Sequence, residues 1–295
     1  MIQRTPYADA FTYVLLVIGF LLLVGPFAVI IAGASQSFHE VNSVPFSFMP
    51  GRELLHNLAA AWTRGNLKDA MVNSLIMASL VTVGKVALSA CTAFAIVFFR
   101  SPLRHLFFWS VFITLMLPLE VRVVSTYAVA ADMMHPFSLL IHAISGIDIG
   151  IEWNLLNSYA GLTLPLVATA TGTFLYRQFF MTLPAELSEA ARMDGAGPVR
   201  FFIDMLLPLS RTNMLALTTI MFVYGWNQYL WPLLMVTDPS YKTVMMSLTS
   251  LLPADNGTPD WNVTLAGSLI IMLPPLIVVG VLQRWFVRGL ISTEK

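Results

Sequence analysis

Residues 189–209 read EAARMDGAGPVRFFIDMLLPL and lie between two long apolar runs. Just before them, Pro184 is a residue type that starts helices, and the acidic residues that follow suit the positive end of a helix dipole. The pattern therefore predicts a helix over residues 186–193. Gly195 and Gly197 are expected to break this helix, because glycine is the usual residue just past a helix end.

A second short helix is predicted to follow the two glycines. Pro198 permits its first turn, residues 199–206 would form its body, and Pro208 would end it. The inner loop 182–212 is thus predicted to form a helix, a glycine turn and a helix at a membrane surface. An amphipathic helix that rests on lipid headgroups is one interpretation. The acidic first helix fits an anionic leaflet poorly, which favours a protein partner.

The composition of the whole chain indicates a membrane protein. Charged residues make up 11% of the 295 residues, against about 25% in soluble domains, and 57% of the residues are hydrophobic. A soluble enzyme of this composition would expose far more apolar surface than soluble proteins tolerate. The formal net charge of zero gives no basis for binding nucleic acid. The single cysteine, Cys91, lies in an apolar run, where a buried structural thiol is expected.

Six apolar stretches are long enough to cross a bilayer as helices, which takes roughly 20 residues. The first is too long for the apolar core of a signal peptide, about 7 to 15 residues, and is expected to be retained. Basic residues favour the connections on the side of the N-terminus, ten against four, which predicts that both termini are cytoplasmic. No repeat is visible, so residues 1–295 are treated as a single transmembrane domain. The predicted spans are 11–34, 71–99, 106–131, 157–181, 213–236 and 263–287.

The inner loop resembles the EAA loop of bacterial ABC importer permeases, whose pattern is E-A-A-x3-G-x9-I-x-L-P. The chain departs from this pattern only at Met205, a conservative replacement of isoleucine. The matching residues are Glu189, Ala190, Ala191, Gly195, Leu207 and Pro208. The later run GWNQYLWPL, residues 225–233, is similar to the carbohydrate-uptake, maltose-type branch of these permeases.

Four further segments are most similar to permease subunits of sn-glycerol 3-phosphate uptake systems. They are residues 107–121, 158–165, 177–184 and 283–290. Residues 123–126 lack a proline-containing stretch that this subunit type would have, and the outer segment 132–153 is longer than expected.

The resemblance implies an all-α integral membrane protein with the six-helix fold of a type I ABC importer permease. Such a chain is a translocation subunit of the bacterial inner membrane and not an enzyme; no cofactor is expected in it, since ATP and magnesium would bind to a separate ATPase. The implied partners are a second homologous permease in a heterodimer, two cytoplasmic ATPase copies, a periplasmic or lipid-anchored substrate-binding protein, and membrane lipid. The implied substrate is sn-glycerol 3-phosphate or a glycerophosphodiester, with a neutral oligosaccharide as the alternative. The residues implied to couple to the ATPase are Glu186, Glu189, Ala190, Ala191, Asp194, Gly195 and Pro208.

Three ionisable residues fall inside the predicted spans: Lys85, Glu120 and Arg122. Such a group costs about 2.5 kcal/mol or more at the bilayer centre, so it usually faces a cavity or a partner. One interpretation is a bridge between Lys85 and Glu120, with Arg122 extended toward the interface. The other is that Arg122, together with Lys85, presents positive charge to an anionic substrate. Pro118 predicts a kink beside these residues.

The fifth stretch carries aromatic and amide side chains in its outer half. Trp226 and Tyr229 are typical of an interfacial aromatic belt; the alternative is that they belong, with the neighbouring amides, to the substrate pathway. Asn227 and Gln228 need partners at low dielectric, so they are expected to line the translocation path or to bond across helices. Pro232 is expected to let this helix bend.

Other function classes find less support in the sequence. An ion-coupled secondary transporter would use intramembrane carboxylates, of which Glu120 is the only one, and broken helices in matching halves, which the pattern does not indicate. No catalytic motif is present, and the lone pair Gly84-Lys85 lacks the upstream glycine of a P-loop. The five histidines do not converge by spacing, so no metal site is expected from His39, His56, His105, His135 and His142.

Overall fold

A computed structural model describes residues 6–99, 101–113, 118–146, 153–252 and 257–291. Within these residues the regular structure is helical and no strand occurs. A 3₁₀ turn spans Pro239–Tyr241. In chain order the helices are α1 (Pro6–Ser35), α2 (Phe38–Val41), α3 (Leu54–Arg64), α4 (Leu67–Phe98), α5 (Arg104–Ile113), α6 (Leu119–Ala131), α7 (His135–Ser145), α8 (Tyr159–Val167), α9 (Ala170–Met181), α10 (Ala185–Met193), α11 (Pro198–Leu209), α12 (Arg211–Trp226), α13 (Leu230–Met235), α14 (Val244–Ser250) and α15 (Trp261–Ile291).

Three described helices are each long and apolar enough to cross a membrane. They are Ala10–Ser35 within α1, Leu67–Phe98, which is α4, and Trp261–Trp285 within α15. They coincide with the first, second and sixth predicted stretches. The pair α11 and α12, bent by 76°, passes the same test when taken together. The prediction of an all-helical protein with membrane-spanning helices is confirmed for the described residues.

The third, fourth and fifth predicted stretches are not single continuous helices. Residues 106–131 hold α5 and α6, and 114–117 between them lie outside the described residues. The fourth stretch is broken at Ala168 and Thr169, between α8 and α9, and the fifth at 227–229, between α12 and α13. The predicted bend at Pro232 is wrong in position, because Pro232 lies in the first turn of α13, where no regular helix bond is lost.

The described parts of Met1–Lys68 and Ser247–Leu273 form one compact unit. Asn57 of α3 is its main polar link. Its Nδ2 donates to the carbonyl oxygens of Ala34 at 2.9 Å and Gln36 at 2.8 Å, and its Oδ1 accepts from Asn262 Nδ2 at 2.9 Å. By contrast, the apolar side chains of α1 between residues 11 and 31 are largely exposed. This is the property of a helix that is apolar on every side and suited to lipid.

The described parts of Asp69–Met246 and Pro274–Lys295 form the second unit, which has two buried clusters. Helices α4, α6, α8, α13 and α14 contribute to the Trp231 cluster, and α4, α9, α10, α11 and α12 to the Tyr176 cluster. The Trp231 cluster consists of Met77, Val81, Val123, Ala130, Leu162, Leu166, Trp231, Met235, Val236 and Met246. The Tyr176 cluster consists of Ala90, Ala93, Tyr176, Phe180, Ala191, Phe201, Leu206, Leu217 and Met221.

The broken fourth and fifth stretches hold each other through what we call the clasp, formed by Asn157, Gly161, Trp231, Met235 and Thr237 to Asp238. Trp231 Nε1 donates to the carbonyl oxygen of Gly161 at 3.1 Å. The backbone N–H of Asn157 donates to the carbonyl oxygen of Met235 at 3.0 Å. The Oδ1 atom of Asn157 accepts from the N–H groups of residues 237 and 238 at 2.8 and 2.9 Å. These bonds pair backbone groups at the start of α8 and at the end of α13. They also pair the carbonyl of Gly161, which gets no helix bond from Pro165 because proline has no N–H.

The expectation of a buried Cys91 is wrong, because this cysteine is exposed on α4. In a membrane-spanning helix an apolar run does not distinguish the core from lipid, since both are apolar. The chain ends, with the basic residues Arg4 and Lys295, lie outside the described residues, so their cytoplasmic location stays a prediction.

Candidate functional site

Helix α10 and the turn after it form the first half of the predicted helix–turn–helix. The helix ends at Met193, as predicted. Gly195 then has a φ of 72°, in the left-handed region that favours glycine. Its N–H donates to Arg192 at 3.0 Å, and the N–H of Ala196 donates to Ala191 at 2.9 Å. This bond pattern closes the helix end and reverses the chain locally.

Helix α11 does not end at Pro208, contrary to the sequence prediction, but continues to Leu209. Its middle, Phe202–Leu206, is a π-helical turn, in which the N–H of Leu207 donates to Phe202 five residues back. The π turn lies directly before Pro208, which has no N–H with which to continue the regular pattern. The next helix, α12, starts at Arg211.

The two faces of α10 have different environments. Glu186, Glu189, Ala190 and Met193 recur at helical spacing and are exposed, Met193 by 83%. Ala191 is 4% exposed and packs in the Tyr176 cluster. The E-A-A run therefore divides, with its glutamate and first alanine on the open face and its second alanine in the core.

Aromatic rings join the loop to the end of α4. The ring centroids of Phe98 and Phe201 are 5.3 Å apart, and those of Phe94 and Phe202 are 4.9 Å apart. Aromatic pairs at these distances attract one another in addition to burying area. These ring contacts pack α11 against α4, the helix that carries Lys85.

Lys85 is 4% exposed, and its Nζ lies 4.5 Å from the centroid of the Tyr224 ring on α12. This is a cation–π distance. The neighbouring Gly84 packs against the end of α8, where an added Cβ would lie 2.7 Å from Val167 Cγ2. Arg122 on α6 lines a cavity together with the two residues at the break between α8 and α9. Two of the three predicted intramembrane charges therefore lie near the break of the fourth stretch.

The third of these charges, Glu120, has its side chain outside the described residues. The predicted bridge between Lys85 and Glu120 therefore stays a prediction. Arg122 has a buried Nε without a hydrogen-bond partner among the described residues. A guanidinium nitrogen in this position can accommodate a further acceptor.

Arg122 lines a cavity of about 320 Å³ between α4, α5, α6 and the start of α9. Four hydroxyl side chains share this cavity. The first turn of α9 also reaches it, and Thr169, the N-cap residue just before this helix, makes no side-chain cap bond within the described structure. Backbone N–H groups at such a helix start attract anions. The lining residues are Leu88, Thr92, Ser110, Val111, Arg122, Ala168, Thr169, Ala170 and Thr173.

The predicted aromatic and amide run lies at the break between α12 and α13. Trp226 is 1% exposed and stacks on Phe222 at 6.0 Å, so it lies in the protein interior and not in an interfacial belt. Gln228 donates from Nε2 to the carbonyl oxygen of Tyr224 at 3.2 Å, which compensates for the end of α12. Asn227 and Tyr229 are exposed at the break.

Sequence reasoning missed Tyr224 and Thr169. Residues 168–173 read ATATGT, a run of small and β-branched residues of modest helix propensity inside an apolar stretch, and this was the available signal for a break. No local signal identifies Tyr224 as the ring above Lys85, because the contact joins two helices far apart in sequence.

The chain is similar in sequence to known transport proteins. Residues 85–292 match the family described as binding-protein-dependent transport system inner membrane component. The chain is 46% identical over its full length, and the full length of the relative, to the sn-glycerol-3-phosphate transport system permease protein UgpE of Pectobacterium atrosepticum. It is 44% identical, with the same complete coverage, to the protein of that name from Escherichia coli.

A solved structure has a similar fold. It is a chain of a bacterial ABC transporter involved in the import of the acidic polysaccharide alginate, with a TM-score of 0.72 and 19% identity over 95% of this chain and 97% of that chain. At this identity the likeness concerns the fold alone.

Proposed function

Because the chain belongs to the family of binding-protein-dependent transport system inner membrane components, we propose that it takes up sn-glycerol 3-phosphate, or a glycerophosphodiester, as the permease subunit of an ABC importer. The observation that carries this substrate assignment is the 46% identity, over the whole of both chains, to a permease named for sn-glycerol 3-phosphate. The chain is an inner-membrane translocation subunit, and ATP hydrolysis belongs to a separate ATPase.

The cavity beside Arg122 is the proposed point at which this chain meets the phosphate. A phosphate group offers several acceptor oxygens and negative charge, and arginine binds it through charge-assisted hydrogen bonds. The unpartnered Nε of Arg122 and the uncapped start of α9 supply donors among the described residues. Lys85 adds positive charge nearby and is itself held by Tyr224. In this proposal the exposed Asn227 and Tyr229, with Gln228, Trp226 and Glu120, lie along the same path.

Replacing Arg122 tests this assignment. Arg122→Gln is expected to lower ATP-dependent uptake of sn-glycerol 3-phosphate by the reconstituted complex about 10- to 100-fold, because one hydrogen bond to a charged group contributes about 1.5–3 kcal/mol. Arg122→Lys should retain part of the activity. The matched control is Arg64→Gln. The guanidinium of Arg64 is exposed and is paired with Asp260 at 2.9 Å.

Normal uptake by a fully assembled Arg122→Gln complex would remove this residue from the substrate path. ATPase stimulation by the loaded binding protein, screened over polyol phosphates and neutral oligosaccharides, tests the substrate class separately. Stimulation by a neutral oligosaccharide alone would favour the alternative substrate.

The proposed architecture has six membrane crossings with both termini in the cytoplasm. Three crossings are the long helices α1, α4 and α15, and three are the interrupted pairs α5–α6, α8–α9 and α12–α13. A heterodimer with a second permease, two ATPase copies and a periplasmic or lipid-anchored binding protein complete the transporter. Support comes from the full-length relatives and from the open face of α10.

In this scheme the loop 182–212 docks on the ATPase through the exposed face of α10. Glu186, Glu189, Ala190 and Met193 make the contact, with Asp194 at its edge. Closure of the ATPase displaces α11, and the ring contacts of Phe98 and Phe94 carry the displacement to α4. The permease then shifts between inward-facing and outward-facing states.

Charge reversal at the loop tests this coupling. Glu189→Lys is expected to leave the permease assembled with its homologous partner but to uncouple ATP hydrolysis from uptake. Glu53→Lys, also exposed but outside the loop, is the matched control. A Glu189→Lys transporter with an unchanged ratio of uptake to ATP hydrolysis would contradict the assignment.

A further inference from the structure

Helix α7 (His135–Ser145) lies in the segment that is longer than the family resemblance predicts. Its polar residues recur at spacings of three, four and three, which puts them on one stripe of the helix. Apolar residues occupy the remaining positions. The polar stripe consists of His135, Ser138, His142 and Ser145.

The apolar side of α7 is uncovered. Phe137 and Leu139 are each 57% exposed, Leu140 is 58% exposed and Ile144 is 78% exposed. A helix of a soluble domain would bury such a face against its own core. These side chains therefore meet something other than water in the working protein.

The chain segment that carries α7 is anchored before and after the helix. The N–H of Met133 donates to the carbonyl oxygen of Trp153 at 3.0 Å, and the N–H of Leu155 donates to Ala130 at 2.9 Å. Both ends of this segment are thus fixed at the C-terminal end of α6, a short apolar helix. In the proposed function, α6 is part of a membrane crossing. With 11 residues, α7 is about 16 Å long, which is too short to cross the bilayer. It therefore stays at the membrane face where α6 ends.

We propose that α7 lies flat in this membrane face, with Phe137, Leu140 and Ile144 among the lipid chains and the polar stripe toward the headgroups. Residues 133–147 contain no Asp, Glu, Lys or Arg, so they offer no charge by which a soluble partner would be recognised. Trp153, 54% exposed at the foot of the segment, is the residue type of the membrane interface. That this face is the outer leaflet rests on the topology in the proposed function. The neutral helix binds lipid through apolar area and not through anionic headgroups.

Site-specific fluorescence in the assembled transporter tests this. Cys91, the only cysteine of the chain, is replaced by serine, and Leu140→Cys, Ile144→Cys or Ser145→Cys is labelled with bimane, with the partner subunits free of cysteine. The complex is reconstituted in phosphatidylcholine vesicles that carry a doxyl group on the acyl chain, and iodide is the aqueous quencher. At positions 140 and 144, quenching by the doxyl lipid is expected to exceed quenching by iodide, and the bimane emission should shift to shorter wavelength. At position 145, on the polar stripe, iodide is expected to quench more than the doxyl lipid.

Stronger iodide quenching at all three positions would overturn the proposal, because α7 would then lie in water. Protection from both quenchers, lost when the binding protein or partner permease is removed, would overturn it in favour of a protein interface. Ile144→Asp gives a second check through the label at position 140, where lipid quenching should fall. Access of iodide from only one side of the vesicle reports the leaflet, so a failed topology is distinguished from a failed lipid contact.

Discussion

The inner loop 182–212 and the clasp both pair backbone groups that helices leave over, but they do so in different ways. In the loop, Gly195 turns the chain, and bonds within five residues close the end of α10. In the clasp, the bonds join residues 70 to 81 positions apart, such as Trp231 to Gly161 and Asp238 to Asn157.

This difference follows from the surroundings of the two regions. The loop is largely exposed, so water or a partner completes any unpaired backbone group. The clasp bond from Trp231 to Gly161 is buried, and there an unpaired C=O group has no water and costs several kcal/mol. The bonds of Asn157 to residues 237 and 238 are exposed. A buried carbonyl that its own helix leaves unpaired therefore requires a partner segment, whereas a turn at the surface requires only a suitable residue.

The largest expected loss of stability follows a substitution of Gly161 in the clasp. A methyl group there would collide with the carbonyl oxygen of Leu155 and lie 2.7 Å from Met235 Cε. Gly161→Ala is expected to destabilise the protein by about 3 kcal/mol, the upper part of the usual range for overpacking. Thermal unfolding in detergent measures this as a lower Tm. Gly280→Ala, with open space around its Cβ, is the control, and equal Tm values for both variants would contradict the argument.

A smaller effect is expected at Asn73, which ties α4 to the chain just after the clasp. Its Nδ2 donates to the carbonyl oxygens of Ser240 at 2.7 Å and Lys242 at 2.9 Å, and its Oδ1 accepts from the Tyr159 hydroxyl at 2.7 Å. Asn73→Ala leaves these groups unpaired and should cost about 2 kcal/mol, measured by the same unfolding assay. Gln178→Ala, an exposed amide on α9, should leave Tm unchanged. A Tm of wild-type value in Asn73→Ala would show that these bonds are not required.

In the loop, a substitution at Gly195 is expected to strain the backbone locally by about 1–2 kcal/mol. Gly195→Val forces a β-branched residue into the left-handed region, whereas Gly197→Val meets an ordinary φ of −70°. The first variant should weaken ATPase binding to the permease roughly 5- to 30-fold, and the second should not. Titration of the ATPase against the detergent-solubilised permease measures this. Equal affinities would show that the turn conformation does not matter for docking.

The smallest effect is expected at Asp238, at the edge of the clasp. Its Oδ1 accepts from the N–H of Ser240 at 2.9 Å, and this bond to the backbone lowers the pKa of the carboxyl group. The stabilisation is present above the usual Asp pKa, about 3.9, and is lost as pH falls through the lowered folded-state pKa. Asp238→Asn should therefore reduce slightly the fall in Tm between pH 6 and pH 3. An identical fall in both proteins would contradict this.

Several features were predictable because they depend on local sequence. The scarcity of charge and the length of the apolar stretches predicted a helical membrane protein. The start of α10, its end at Met193 and the turn at Gly195 followed from proline, acidic and glycine positions. The EAA pattern of Glu189, Ala190 and Ala191 identified the family, which the full-length relatives confirm.

Other features were decided only in the folded chain. The sequence does not show that Lys85 lies beneath Tyr224 or that Cys91 is exposed, since hydropathy alone cannot distinguish a lipid-facing side chain from a core one. Local propensity fixed where the chain turns at a wet surface, because the turn residue and water suffice there. In the buried part of the clasp, the carbonyl of Gly161 is paired by Trp231, which is 70 positions away and reaches it only in the folded chain.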